Sequence, residues 1–408
     1  MNNKLYVFLR PSIAGLGGSL IYTSNKISFL KNNGYDVLYY HANGHKGEFQ
    51  IEKLLEYKDY YDERLLLPSY YFDKDTITDV INRFQEYAKS KRYESIIIES
   101  ETILLATWGE VIASIINARH IIYLLAEKNT IYDSITYEFL RFKQRRKELV
   151  GISTNSIKDM FKGKIEIPTS KSLSLPAYCY NTVDDVEFPD IIPSSESINI
   201  GSLGRLDKPY VKYAFRDLKR YVKRKRDVNY NLIIIGGGVE KNEILETFAD
   251  TDNLKIFYIG NIYPIPLKLL LKIDVFISSS GSSLLTSKLG KLTITYDASD
   301  YMPIGILGIT TDSILNRKKG EPAIGLDVLL DDILVKKKYN ESIDENYLVK
   351  LNDFSFDSHL LFLEETEKEL IYFDFAKLTK PIRLYEKKML LRMLGFNRFF
   401  RLRNFFHK

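Results

Sequence analysis

Apolar residues in this chain come in short unbroken runs separated by amphipathic stretches of helical length. Leu5 to Leu9, Val37 to Tyr40, Ser95 to Ile98, Ile121 to Leu125 and Leu149 to Ile152 form one series. Ile198 to Leu203, Leu232 to Ile235, Lys255 to Ile259, Asp274 to Ser278 and Leu292 to Thr295 form a second. Continuous rather than alternating apolar runs are expected of parallel strands covered on both faces, so each series predicts a doubly wound α/β domain. Between them, Asn181 to Ser197 carries Pro189, Pro193, several serines and acids with no period, the composition of a linker. The expected division is residues 1–190, 191–354 and a set of C-terminal helices over 355–408. Ligands of open α/β sheets bind beyond the strand C-termini, so a cleft where two such sets of ends face each other is the expected site.

Composition narrows the classes. At 408 residues the chain exceeds what one hydrophobic core serves. The single cysteine, Cys179, permits no internal disulfide, and five scattered histidines argue against a structural zinc site. No apolar run suits a signal peptide or a membrane span, which predicts a cytoplasmic protein. The net charge of +5 is uneven: residues 381–408 hold eight Lys/Arg against Glu386 alone, +7, so the rest sums to 5 − 7 = −2. That excludes a nucleic-acid-binding body. Met389, Met393, Phe396, Phe399, Phe400, Leu402 and Phe406 interleave with those cations, which suits an interfacial segment on an anionic membrane surface, at the inner face of the cell membrane, or a last helix packed on the domains.

In the first half, a strand, the turn Gly15-Leu-Gly17-Gly18-Ser19 and a helix follow in order. Glycines let backbone approach a ligand, and a helix start attracts anions, though such turns also exist merely to turn. Three acids fall where strands end: Glu99, Glu101 and Glu127. A carboxylate there can accept a proton from a hydroxyl or hold a sugar; it can equally be a cap or a surface acid. Asp73-Lys74-Asp75 matches a two-aspartate metal motif, but Asp75 is better placed as a helix N-cap, and His41 with His45 lacks a third ligand. No metal is expected.

In the second half, a strand ends in Gly204-Arg205-Leu206-Asp207-Lys208-Pro209, where two cations could stabilise charge building on a departing phosphate. Gly236-Gly237-Gly238 and Gly260-Asn261 close the next two strands, as close-approach sites or simply as turns, and Ser278 to Lys291 reads as strand, Ser/Gly turn and short helix, where Gly281, Ser282 and Ser283 can bind an anion or merely cap the helix.

This order of features resembles glycosyltransferases of the GT-B fold, particularly those that assemble bacterial surface polysaccharides such as capsule and O-antigen. The resemblance covers most of the chain and is strongest from Ile198 to Gly308. It implies two Rossmann-like parallel-sheet domains facing a cleft and transfer of a sugar from a nucleoside diphosphate sugar, uridine-linked, to a hydroxyl of a glycan or lipid-linked glycan. No cofactor is implied, the sugar nucleotide being a substrate. Arg205 and Lys208 would grip the diphosphate, Gly204, Gly281, Ser282 and Ser283 would face phosphate or sugar, and Gly260-Asn261 would lie near the base. Gly17 and Gly18 match the glycine loop bordering the reaction centre, and Glu127 stands where many relatives place a histidine. The chain departs from retaining relatives in lacking two glutamates eight positions apart before Gly290; Leu285 occupies the second position. A non-catalytic scaffold or glycan-binding partner and a nucleotide-sugar epimerase are the alternatives. A dinucleotide dehydrogenase fits least, since the first turn has no regular Gly-x-Gly-x-x-Gly.

Overall fold

The computed structural model describes residues 4–43, 51–88, 92–126, 129–131, 133–161, 174–177, 179, 183–184, 187–189, 197–238, 241–339, 356–366, 369–378 and 382–406. All ten apolar runs are strands. In the first domain β1 (Lys4–Arg10), β2 (Tyr35–His41), β3 (Ser95–Ser100), β4 (Arg119–Leu124) and β5 (Leu149–Gly151) pair in the order β2-β1-β3-β4-β5, all parallel. The helices α1 (Gly18–Asn32), α2 (Lys74–Ala88), α3 (Ile103–Ile116), α4 (Ser134–Arg145) and α5 (Thr154–Met160) connect and cover them. In β1 every residue after Lys4 is buried, which is why the run carries no polar alternation.

In the second domain β7 (Ile198–Leu203), β8 (Tyr230–Ile235), β9 (Leu254–Gly260), β11 (Val275–Ile277), β12 (Leu292–Tyr296) and β13 (Pro303–Ile306) form one sheet, ordered β13-β12-β11-β7-β8-β9. Only β13 runs antiparallel, and no apolar run in the sequence reading marked it. The helices here are α6 (Pro209–Arg224), α7 (Lys241–Thr247), α8 (Leu267–Leu271), α9 (Gly281–Lys288) and α10 (Leu326–Leu330). Val183–Asp184 (β6), inside the stretch read as linker, pairs with Ile265–Pro266 (β10).

The two compact units are Met1–Ala177 with Phe356–Lys408, and Tyr178–Ser355. The chain thus leaves the first domain thirteen residues before the boundary expected near 190, and its last segment, set apart in the sequence reading, belongs to the first domain. Hydrogen bonding accounts for both. Leu175 N–H donates to the Gly151 carbonyl, and the Pro176 carbonyl meets His359 Nε2 at 2.9 Å. That histidine lies on α11 (Asp357–Glu365), and Leu384, Leu391 and Phe399 of α12 (Ile382–Phe406) join the first domain's core.

Two buried ionic networks organise this domain. Glu99, fully buried on β3, pairs with Arg10 of β1 and, at 2.5 Å, with Lys26 of α1, and accepts from the Tyr6 hydroxyl at 2.6 Å. Lys26 Nζ also meets His359 Nδ1 at 3.1 Å. The second joins Glu110 of α3 to His120 of β4 (2.7 Å) and Lys143 of α4 (2.9 Å), while Glu110 accepts the Phe373 N–H at 2.7 Å.

These networks set the pH response. Burial opposes ionisation of Glu99, but Lys26 and Arg10 overcome it and hold the carboxyl at about 2; Glu110 is likewise buried and held at about 2 by Lys143 and His120. Burial, reinforced by a neighbouring lysine, pushes His120 down to about 4 and His359 to about 3. As pH falls below the ordinary histidine value the unfolded chain takes up protons that the folded histidines refuse; below the ordinary glutamate value the same holds for the two acids, so each contribution is lost toward acid. Glu101, whose pKa burial raises, acts in the opposite sense. The melting temperature of the first domain should therefore fall as pH drops from about 6.5, and more steeply below about 4.5, in a calorimetric pH series. Glu99→Ala, which strands Arg10 and Lys26 in the core, should cost about 3 to 5 kcal/mol in urea unfolding.

Candidate functional site

In the second domain the residues that sequence analysis assembled from four separate loops come together at the C-terminal ends of β7, β8, β9 and β11. Gly204 N–H donates to the Ile235 carbonyl at 2.9 Å, Leu206 N–H to Gly237 at 3.1 Å, and Gly236 N–H to Gly260 at 2.8 Å. The turns are stacked so closely that a β-carbon on Gly236 would lie 1.9 Å from the Gly204 carbonyl oxygen, and Gly236 has φ +139°. Glycine is required there by the fold itself. The Asn261 side chain lies beside Gly237, with Nδ2 3.0 Å from where a β-carbon would stand.

The N-terminus of α9 completes this cluster. Ser282 Oγ is 3.3 Å from a β-carbon position on Gly204, and Gly281 faces Cys179 Sγ at 2.9 Å from its own. Ser280, the N-cap, is held at φ +62° and ψ −141°, a costly conformation for a residue with a side chain, by its N–H bond to Ile314 at 2.7 Å, and its hydroxyl makes no cap bond. The Ser283 and Leu284 N–H groups bond the Ser280 carbonyl (3.1 and 3.4 Å), which leaves the Gly281 and Ser282 N–H groups as the donors of the helix start. Ser283 is fully buried and its hydroxyl donates to the Ser280 carbonyl at 2.7 Å, whereas Ser282 is half-buried on the Gly204 side. Ser278, which sequence reasoning did not single out, locks β11 to β7: its hydroxyl both accepts the Leu203 N–H (3.1 Å) and contacts the Leu203 carbonyl (3.2 Å).

Arg205 projects from the same turn with its side chain 54% exposed, 3.5 Å from Asp207, which leaves the guanidinium accessible to an anion. Lys208 caps α6, with Pro209 in the first turn, and is half-buried. It is near enough to Cys179 to oppose the rise that burial imposes on that thiol. Cys179 lies beside Gly281, its Sγ 2.9 Å from where a β-carbon would stand there, and Lys208 follows Gly204 by four residues.

In the first domain Gly17 is the N-cap of α1, in extended backbone, and Gly18 is exposed. A β-carbon on Gly17 would meet nothing within 4 Å. Neither φ nor packing calls for glycine at that position, unlike Gly236. Glu101 follows β3 directly, its N–H bonded to the Leu9 carbonyl. Its carboxylate lies 3.4 Å from Arg10 Nε and is hydrogen-bonded by Ser19 in the first turn of α1, and its buried Oε2 makes no hydrogen bond among the described residues. Burial pushes this carboxyl up; Arg10 and Ser19 oppose it. Glu99, two residues earlier, is consumed by Arg10 and Lys26. Glu127 lies outside the described residues, as does His45.

The N-cap of α2 is Asp73, whose carboxylate accepts the Thr76 N–H at 3.0 Å; Asp75 falls inside the first turn. His41 is buried between the carbonyls of Asn43 and Tyr57. No group of three or more metal-ligating side chains occurs among the described residues. A Ser100–His120–Glu110 series, with contacts of 2.9 and 2.7 Å, has the spacing of a nucleophile, base and acid, but all three are buried, and a β-carbon on Gly109 would collide with both Ser100 and His120. It serves packing.

No protein-family model and no curated protein matches the sequence. Among solved structures, a glycosyltransferase from Rickettsia africae is similar over 92% of this chain and 99% of its own, at 14% identity and a TM-score of 0.59. The chain has the GT-B fold. OtsA in its apo form aligns over 90% of this chain and 99% of its own, at 12% identity and a TM-score of 0.49. A UDP-N-acetylglucosamine 2-epimerase aligns over 90% and 100%, at 11% identity and 0.46. In GT-B terms, the clustered glycine turns belong to the C-terminal Rossmann-like domain and the Gly17 turn to the N-terminal one.

The two kinds of glycine separate by substitution. Gly236→Ala should destabilise the second domain by about 3 kcal/mol or more through the clash with Gly204 and the positive φ. Gly17→Ala should cost at most about 1 kcal/mol, the ordinary penalty for alanine at an N-cap. Chemical denaturation of both variants checks the difference.

Proposed function

We propose that this protein transfers a sugar from a nucleoside diphosphate sugar, uridine-linked, to a hydroxyl of a growing bacterial surface glycan or its lipid-linked form. The observation that carries the reading is the cluster in the second domain: an exposed guanidinium, a nearby ammonium and the Gly281 and Ser282 N–H groups of a helix start, beside the Gly204 turn. Such a set matches a diphosphate, whose charge rises as the sugar leaves. Arg205 and Lys208 would supply the positive charge that a metal supplies in other designs, Arg205 in a planar fork and Lys208 as a point charge. Gly204, Gly281 and Ser282 would approach the phosphates through backbone and hydroxyl, with Ser283 holding the turn in shape, and Gly260-Asn261 would border the base.

On the acceptor side, Glu101 is the best-placed acid. It is incompletely hydrogen-bonded, it lies beside the Gly17-Gly18 turn, and burial favours its taking up a proton. Glu127 remains a second candidate by its place after β4. A donor-binding protein without transfer is the alternative reading, favoured by one feature: from Ser278 to Gly290, through the whole of α9, there is no carboxylate to act on the sugar.

Purified protein incubated with UDP-sugars should release UDP slowly even without acceptor, detected by mass spectrometry. Arg205→Ala should lower that rate about 100-fold while leaving the unfolding midpoint unchanged, since the side chain is mostly exposed. Turnover near the parent level in this variant would remove the diphosphate assignment. Glu101→Gln should abolish the acid limb of the pH–rate profile, which in the parent lies above the ordinary glutamate value; donor binding without any UDP release would instead favour the non-catalytic reading.

A further inference from the structure

The C-terminal helix α12 has one face in the core and a second apolar face that none of the described residues covers. Leu384 and Leu391, seven residues apart, are buried against the first domain. Ile382, Tyr385, Met389 and Met393, spaced three, four and four residues, form a stripe on the opposite side and are 79%, 60%, 63% and 70% exposed. With Leu390 and Leu402, this one helix holds six of the fifteen exposed large hydrophobic side chains among the described residues. Of the phenylalanines that the sequence offered as interfacial, Phe399 is buried and Phe396 and Phe400 pack on the core, while the Phe406 side chain lies outside the described residues. At Gly395 the backbone leaves helical geometry (φ 71°, ψ 166°), so the stripe occupies the uninterrupted half of the helix before the kink.

We infer that the Ile382-Tyr385-Met389-Met393 stripe is a docking face for an anionic lipid bilayer. Charge decides the occupant. Arg383 and Arg392, both exposed, flank the stripe on either side, and Arg398 and Arg401 continue the exposed basic surface beyond the kink. A second copy of the chain would bring two segments of charge +7 together, whereas an anionic bilayer neutralises the segment while admitting the apolar side chains between its headgroups. The remaining 380 residues sum to −2, so the chain's net positive charge is concentrated in residues 381–408. No helix among the described residues is long and apolar enough to cross a membrane, and the contact is therefore interfacial.

The test is co-sedimentation of the full chain with vesicles of phosphatidylcholine alone and with about one-third phosphatidylglycerol added. Binding should be at least about ten-fold stronger to the anionic vesicles at low salt and should weaken at high salt. Met389→Glu with Met393→Glu should abolish it, and Arg383→Gln with Arg392→Gln should remove the preference for anionic lipid. Both pairs should leave the unfolding midpoint and acceptor-free UDP release unchanged, which separates this inference from the proposed sugar transfer. Equal binding of parent and Met389/Met393 variant, absence of binding to either vesicle, or a dimer in sedimentation velocity that the same pair dissociates would each overturn it.

Discussion

A carboxylate buried between two cations governs the first domain. Glu99 can be ionised in the core only because Arg10 and Lys26 stand against it and two tyrosine hydroxyls reach its oxygens. With Glu101 beside Arg10, two acids face two bases, and removing Glu99 would leave Arg10 and Lys26 without their main partner. The four residues lie on β1, α1, and the end of β3, so satisfying them fixes the register of the two central strands and the seat of the helix that opens at Gly18. The same cluster draws the chain back: Lys26 meets His359, and His359 meets Pro176, joining the last residue stretch before the exit from this domain to the first helix after the return. A discontinuous domain follows from one solvation requirement.

The second domain solves the corresponding problem at its strand ends with main chain instead of charge. Three turns are bonded edge to edge through Gly204, Gly236 and Gly260, and the absence of side chains there leaves room for Arg205, Ser282 and Asn261 around them. Serine hydroxyls that could serve a ligand are divided by burial: Ser278 and Ser283 are spent on backbone partners within the fold, whereas Ser282 sits at the accessible start of α9. The cluster is thereby rigid in its backbone, with the Arg205 side chain exposed and Lys208 half-buried beside it.

Much of this was legible in order along the chain. The ten parallel strands show as unbroken apolar runs because both faces of each sheet are covered, and the Gly236 turn shows because no other residue suits such close backbone approach. Elements without a periodic signature escaped: β13 is four residues at an edge, and Val183–Asp184 pairs within a stretch of loop composition. The cap of α2 moved from Asp75 to Asp73 because two acids at that spacing differ only in which one reaches a free N–H. The apolar residues of α12 read equally as an interfacial set or as a helix packed on the domains, and Phe396, Phe399 and Phe400 take the packed side while Met389 and Met393 are exposed.

The sequence by itself determined the two sheets, their strand ends, the Gly204-Arg205 and Gly281-Ser282 turns and the concentration of positive charge at the C-terminus, since each is written in neighbouring residues or in a local period. Only the tertiary structure decided which acid is spent and which is spare, where the chain crosses between domains, and which face of the last helix is uncovered. Glu99 finds its partners 89 and 73 residues away, and α12 finds its core near residues 66 to 73. Burial and ion pairing at such separations depend on the packed fold, and no local pattern of residues records them.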